Sequence, residues 1–240
     1  LASDSNIAGF MFEPIQGEGG TVVAPKRFIQ ELRKICDEFG IVLIFDEIQA
    51  GLGRCGHWFC ADYYDVQPDI IAISKGIGGG FPMALIAFTS AMNCWTPGTH
   101  IGTFRGQQYA MTAGQALLET IAKDKLVDNA DVQGEYLSEQ LRGLCQDYSD
   151  ILGEVRGKGL YIGVEVSKYL LDPGAAAMDM KRGMLERQII IERGGRQGSV
   201  LRVLPPLIIT REICDRFLNS FSDVLSSYSS QNGVRKYVSG

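Results

Sequence analysis

Histidine is almost absent from this sequence: His57 and His100 are the only two in 240 residues. A Ser-His nucleophile pair or a histidine-rich metal centre could draw on these alone, which thins the case for either, and no metal site is expected. The six cysteines (Cys36, Cys55, Cys60, Cys94, Cys145 and Cys214) form no C-x-x-C pair. Zinc ribbons and thioredoxin-like sites are therefore not indicated, and free buried thiols in a reducing cytosol are expected. Long runs of one charge are missing too. The net charge is −5 with no basic stripe, so no nucleic-acid partner is expected. The longest apolar stretches are strand-sized and broken by charge, so no membrane span is expected. The start lacks the basic and apolar regions of a secretory leader. Leu1-Ala2-Ser3-Asp4 is no natural initiator sequence either, so the chain is expected to begin inside a longer protein. There is no internal repeat or low-complexity tract.

What is present is the composition of a soluble globular protein, 45% hydrophobic and 21% charged, with length for one large or two small domains. Four apolar runs, Gly9–Ile15, Ile41–Phe45, Ile70–Ile73 and Leu85–Phe88, lack polar alternation. That suits strands of a mostly parallel sheet buried under helices. Between the first two, Pro25–Phe39 places Phe28, Leu32, Ile35 and Phe39 on one helical face, with Pro25 at a first-turn position and Gly40 at the stop. The opening therefore reads as a βαβ unit. Helices are expected over Gln107–Lys123, with Ala110, Ala113, Leu117 and Ile121 on one side, and over Leu126–Tyr148. An α+β region follows: strand material in Val155–Val166, a helix over Met178–Arg187, strands at Ile189–Glu192 and Val200–Leu204, and a closing helix at Glu212–Ser227. The domain boundary is placed near residue 125, giving domains 1–125 and 126–240. The polar tail Ser229–Gly240 is expected to fray.

Ligands of open α/β sheets collect at the carboxyl ends of the strands. Here those ends carry ionisable residues: Glu13 after the first run, Asp46 and Glu47 after the second, Lys75 after the third. Any one alone reads as a solvated strand exit, but together they suggest a crevice. A strand-end lysine beside a strand-end aspartate suits pyridoxal 5′-phosphate. The amine condenses with the cofactor aldehyde and later moves protons, while a carboxylate keeps the pyridine nitrogen protonated. Lys75 and Asp46 are the candidates.

Three segments sharpen this: Glu13-Pro14-Ile15-Gln16-Gly17-Glu18-Gly19-Gly20, Phe45-Asp46-Glu47-Ile48-Gln49-Ala50-Gly51-Leu52-Gly53-Arg54, and Ser74-Lys75-Gly76-Ile77-Gly78-Gly79-Gly80-Phe81-Pro82. In order and spacing they resemble the class III (ω-) aminotransferases. The resemblance implies the C-terminal part of the α/β fold-type-I fold of pyridoxal-phosphate-dependent transferases, followed by a smaller α+β domain. It implies that Lys75 carries the cofactor, Asp46 faces the pyridine nitrogen and Gln49 lies near the 3′-oxygen. Thr103, in Gly102-Thr103-Phe104-Arg105-Gly106, would reach the cofactor phosphate of the neighbouring subunit in a homodimer with shared active sites. It further implies that Arg202 binds the α-carboxylate of 2-oxoglutarate or glutamate and that Glu18 covers it when an amine donor is present; the planar arginine fork matches a carboxylate bidentately.

Within the class, Gly102–Gly106 followed by Gln107-Gln108, and Glu192-Arg193-Gly194-Gly195-Arg196, are similar to the L-2,4-diaminobutyrate:2-oxoglutarate 4-aminotransferases. The activity implied is transfer of the 4-amino group of diaminobutyrate to 2-oxoglutarate, giving aspartate 4-semialdehyde and glutamate, in the cytoplasm. Alternatives are an ornithine, acetylornithine or GABA aminotransferase, a racemase of the class, or an inactive fragment that only binds a partner. A last alternative is a dehydrogenase, because Gly51-Leu52-Gly53-Arg54-Cys55-Gly56 fits G-x-G-x-x-G. But His57-Trp58-Phe59 is no convincing helix opening, and the first glycine lies five residues beyond Asp46. The resemblance also implies that an upstream phosphate-binding loop, a ring-stacking aromatic residue and an N-terminal arm belong to the full enzyme. Half of a doubly wound sheet leaves an exposed edge and an uncovered apolar face, so these 240 residues alone are expected to be poorly soluble and nearly inactive.

Overall fold

A computed structural model describes residues 6–232. The chain divides into two compact units. The first holds residues up to Pro14, Ala24–Gly53 and His57–Leu126. The second holds Ile15–Val23, Arg54–Gly56 and the chain from Val127 onward.

In the first unit, β1 (Gly9–Phe12), β4 (Val42–Asp46), β5 (Ile70–Ile73) and β6 (Leu85–Phe88) form one sheet in the order β1-β4-β5-β6. The first three are parallel, as their apolar runs predict, but the strands are not buried on both faces: Leu43, Phe45 and Ile73 are their only buried residues. β6 runs antiparallel to β5, because the short stretch from residue 74 to 84 turns the chain back on itself instead of crossing over. α1 (Lys26–Phe39) connects β1 to β4 and ends at Gly40, whose φ of 65° is the left-handed stop a glycine accommodates. Its buried stripe is Ile29, Leu32 and Cys36. Of the face expected from sequence only Leu32 is buried; Phe28, Ile35 and Phe39 form a neighbouring stripe that is largely exposed. α2 (Cys60–Tyr64) is a single short turn of helix, and α3 (Gln108–Lys123) buries Ala110, Gly114 and Ile121. The buried Tyr64 hydroxyl meets the carbonyls of Pro14 and Ala24, each at 3.0 Å.

The second unit carries an antiparallel sheet in the order β7-β8-β10-β9: β7 (Leu152–Lys158), β8 (Tyr161–Val166), β9 (Glu192–Gly194) and β10 (Val200–Val203). The strand expected at Ile189–Glu192 is shifted toward the C-terminus, since only Glu192 onward pairs with β10. α4 (Leu126–Asp147), α5 (Pro173–Glu186) and α6 (Arg211–Asn232) share one apolar core with this sheet, including Leu137, Leu141, Ile162, Val164, Met180, Leu201 and Phe221. α5 begins five residues before the expected Met178, because Asp172 caps it by accepting the Ala175 N–H and Pro173 fills the first turn. A two-stranded ribbon, β2 (Ile15–Gln16) with β3 (Val22–Val23), belongs to this unit and has no signal in the apolar pattern. α6 runs through Asn232, four residues into the tail expected to fray; the rest of that tail and Leu1-Ala2-Ser3-Asp4 lie outside the described residues. Among the described residues no helix is long and apolar enough to cross a membrane. All six cysteines are free thiols, and all but Cys94 are buried.

Candidate active site

In the first unit the carboxyl ends of β4 and β5 bring Asp46 and Lys75 to the same end of the sheet. Asp46 is in register with Ala72 of the adjacent parallel strand, and Lys75 follows three residues later. Asp46 is half-buried, and its Oδ1 accepts the Ile48 N–H at 3.0 Å. Glu47, its neighbour, points elsewhere. It is 1% exposed, accepts the Ala61 N–H at 3.0 Å, and so satisfies the start of α2. Burial pushes the Glu47 carboxyl above the ordinary carboxylate range, against the backbone N–H groups of Cys60 and Ala61, which pull it down. The strand end thus separates two adjacent acids, one committed to the helix and one left half-buried at the end of the strand. Gln49 is half-buried in the turn that follows.

Lys75 is exposed and opens a turn of 3₁₀ helix over Lys75–Gly78. Its φ of 50° is left-handed, which costs a non-glycine residue roughly 1 kcal/mol. The surroundings hold it there. Ser74 Oγ donates to the Met83 carbonyl at 3.0 Å, closing the loop at its base. On the far side α3 comes so close that a Cβ on Gly114 would stand 2.3 Å from the Ile77 carbonyl oxygen, and one on Gly79 would stand 2.6 Å from that of Ala113. These glycines had no role in the sequence reading; the small residues on α3 were the available signal. Thr103 stands in the exposed loop between β6 and α3, at neither strand end. That loop, Ser74 and Met83 line a cavity of about 1050 Å³.

In the second unit Arg202 and Glu18 meet. Arg202 is only 5% exposed, in the middle of β10, opposite Gly163 of β8 and Glu192 of β9. Its Nη1 donates to Glu18 Oε1 at 2.6 Å. Glu18 sits exposed on the turn between β2 and β3, and its backbone carbonyl accepts the Gly195 N–H at 2.8 Å. Glu192 is held in turn by Lys181, whose Nζ donates to Oε2 at 2.7 Å.

The G-x-G-x-x-G segment is a series of turns; no helix follows until Cys60. Within it Arg54 is a buried structural cation that donates to the carbonyls of Leu160 (3.2 Å) and Pro205 (2.7 Å). Burial pulls its pKa down from the usual arginine value. A Cβ on Gly56 would stand 2.7 Å from Asp131 Oδ1, so that glycine serves close packing.

An alternating chain with a lysine and an acid at parallel strand ends, followed by an antiparallel α+β unit, defines a class that sequence comparison also reaches. A family profile described as aminotransferase class-III matches residues 1–225, and the chain belongs to that family. The diaminobutyrate–2-oxoglutarate aminotransferase of Haemophilus influenzae is 39% identical over 224 residues, which are 89% of this chain and 49% of that protein. The acetylornithine aminotransferase of Methanosarcina acetivorans is 43% identical over 214 residues, covering 89% and 51%. Among solved structures, the ornithine aminotransferase of Toxoplasma gondii matches with a TM-score of 0.86 at 31% identity, over 96% of this chain and 53% of that one, and has PLP at partial occupancy at its active site. The fold is therefore that of the fold-type-I pyridoxal-phosphate-dependent transferases. The chain spans about half the length of the curated relatives it matches. The donor set at the strand ends fits the family's cofactor: an exposed amine on a rigid turn, a half-buried carboxylate on the adjacent parallel strand and an amide in the turn beyond it.

Proposed function

We propose that this chain supplies the catalytic lysine and the substrate-sorting arginine of a transaminase that moves the 4-amino group of L-2,4-diaminobutyrate to 2-oxoglutarate, giving aspartate 4-semialdehyde and glutamate. The observation that carries the reading is the placement of Asp46 and Lys75 at the carboxyl ends of adjacent parallel strands. The first unit would be the second half of the large cofactor-binding domain and the second unit the small domain. When bound, pyridoxal 5′-phosphate supplies an electron sink for the carbon that bears the amine. Lys75 Nζ would hold the cofactor covalently at its aldehyde carbon and, once released, take up the proton from the donor carbon that bears the amine. Asp46 would hold the proton on the pyridine nitrogen, as an opposite charge favours the charged form. Gln49 would donate to the 3′-oxygen. Thr103 would donate its hydroxyl to the phosphate of a neighbouring subunit in a homodimer. The exposure of Ile101 (83%) and Phe104 (86%) on the same loop supports such a contact.

Arg202 would bind the α-carboxylate of 2-oxoglutarate in the place Glu18 now takes. Because Glu18 is mostly exposed, its side chain can leave by rotation while Arg202 stays buried. Transfer of an amino group needs both carboxylate-rich and amine-rich partners to use one site in turn, and a displaceable internal carboxylate meets that need. Relatives at comparable identity act, by name, as acetylornithine and ornithine aminotransferases, so an acetylornithine- or ornithine-type donor is the second reading. Buried free thiols support a cytoplasmic setting.

The test is direct. Borohydride treatment of the protein with bound cofactor should fix the cofactor mass on the Lys75 peptide. Diaminobutyrate should outrank ornithine, N-acetylornithine and GABA in kcat/KM with 2-oxoglutarate. Cofactor mass on a peptide other than that of Lys75 would refute the lysine assignment, and preference for N-acetylornithine or ornithine would install the second reading.

A further inference from the structure

Several glycines line the second unit's sheet, and their reasons differ. Gly195 has a φ of 74° and Gly157 one of 132°, conformations that side chains resist. Gly194 does not belong with them. It lies in β9 and its φ is not in the left-handed region, so its backbone conformation does not call for glycine. What a side chain there would meet is the Arg202–Glu18 pair. A Cβ on Gly194 would stand 2.7 Å from Arg202 Cδ, 3.6 Å from Arg202 Nε and 3.1 Å from the Glu18 carbonyl oxygen. The Arg202 side chain therefore runs across the position that a β-carbon would occupy. β9 also fixes the other partner, because the next residue donates its N–H to that same Glu18 carbonyl.

We propose that Gly194 is a specificity-determining positioning residue: the space left by its missing side chain is the channel along which Arg202 reaches the carboxylate it binds. The inference rests on the reading of Arg202 as the substrate-carboxylate arginine. A methyl group at 194 pushes against the middle of a flexible side chain, so the strand can remain and the guanidinium is what moves. The moved guanidinium loses the position shared by Glu18 and the dicarboxylate. The amine half-reaction, which needs no carboxylate on Arg202, keeps its chemistry.

The experiment compares Gly194→Ala, Arg202→Ala and the double variant in the protein loaded with pyridoxal 5′-phosphate. Its readouts are the KM for 2-oxoglutarate, the Kd of the unreactive dicarboxylate glutarate by calorimetry, single-turnover rates with the amino donor, and melting temperature. Gly194→Ala should raise the KM and the glutarate Kd about tenfold, the loss of one charge-assisted hydrogen bond, with the donor half-reaction within about twofold of the parent. In the Arg202→Ala background the same substitution should add nothing, since the atom it displaces is gone. The proposal is overturned if Arg202→Ala weakens dicarboxylate binding and Gly194→Ala does not. It is overturned equally if Gly194→Ala slows both half-reactions alike, or has its full effect without Arg202, because either result makes the glycine merely structural. If Arg202→Ala itself leaves dicarboxylate binding unchanged, the reading of Arg202 falls, and this inference with it.

Discussion

Lys75 stands exposed just past the end of a parallel strand, on a left-handed backbone residue, whereas Arg202 lies buried in the middle of an antiparallel one. The difference matches what the proposed function asks of each group. On the proposed reading, a lysine that makes and breaks a covalent bond needs a free tip and a fixed root. Its side chain is therefore left in solvent, while its turn is pressed against α3 at Gly79 and Gly114. An arginine proposed to exchange one carboxylate for another needs the reverse. Its guanidinium is withdrawn from water, where each charge-assisted bond counts for more, and the exchangeable carboxylate is the exposed member of the pair. In the first unit rigidity resides in the backbone; in the second it resides in the side chain's bed.

The most severe break of that comparison is at the lysine. Lys75→Ala should lower transamination by roughly 10⁴-fold and abolish borohydride-fixed cofactor, because the proposed covalent link and proton carrier are the same amine. Turnover within tenfold of the parent would remove Lys75 from the chemistry. Next is the arginine: Arg202→Ala should raise the KM for 2-oxoglutarate by roughly 30- to 100-fold, the worth of a bidentate charged contact, with a much smaller effect on the amine donor. Equal losses for both substrates would mean that Arg202 only supports the sheet. Third is the root of the lysine. Gly114→Ala places a methyl group 2.3 Å from a backbone oxygen that has no soft side chain to give way, and should destabilise the protein by about 2 kcal/mol. Denaturant unfolding measures this, and the same variant should lose turnover without a change in the KM for the dicarboxylate.

Much of this arrangement can be read from sequence because the residues that matter follow apolar runs. Ile41–Phe45 and Ile70–Ile73 announce two strands, and an ionisable residue stands within two positions of each exit. Periodicity alone places α1 correctly but not its rotation, since Phe28/Ile35/Phe39 and Ile29/Leu32/Cys36 are neighbouring stripes of comparable apolarity. Which stripe meets the sheet is decided by tertiary packing. The antiparallel sense of β6 is equally silent, because a four-residue apolar run carries no direction. Glu18 and Arg202 are 184 positions apart in the chain, and only family resemblance paired them beforehand. Gly194 was visible as a letter in Glu192-Arg193-Gly194-Gly195-Arg196, but a glycine kept for space looks the same in sequence as one kept for its φ.

Asp46 and Glu47 repeat the comparison on a smaller scale, and the smallest expected effect lies there. Glu47 is buried and its carboxyl is raised above the ordinary range, so the folded chain holds that proton more tightly than the unfolded one. Below the ordinary carboxylate range both states are protonated and the group contributes nothing to pH dependence. As pH rises through that range the unfolded chain gives up its proton first, so the folded state loses relative stability until Glu47 itself ionises. Glu47→Gln keeps an oxygen to accept the Ala61 N–H and removes the charge that burial penalises. The variant should melt about 2 °C higher than the parent near pH 7, with the gain shrinking as pH falls toward the ordinary carboxylate value. Glu47→Ala, which also removes the acceptor, should instead lose about 1 kcal/mol through the uncapped start of α2. Parallel melting curves for the parent and Glu47→Gln across that whole pH range would show that burial of this carboxylate costs nothing, and that Glu47 is not the acid set apart for structure.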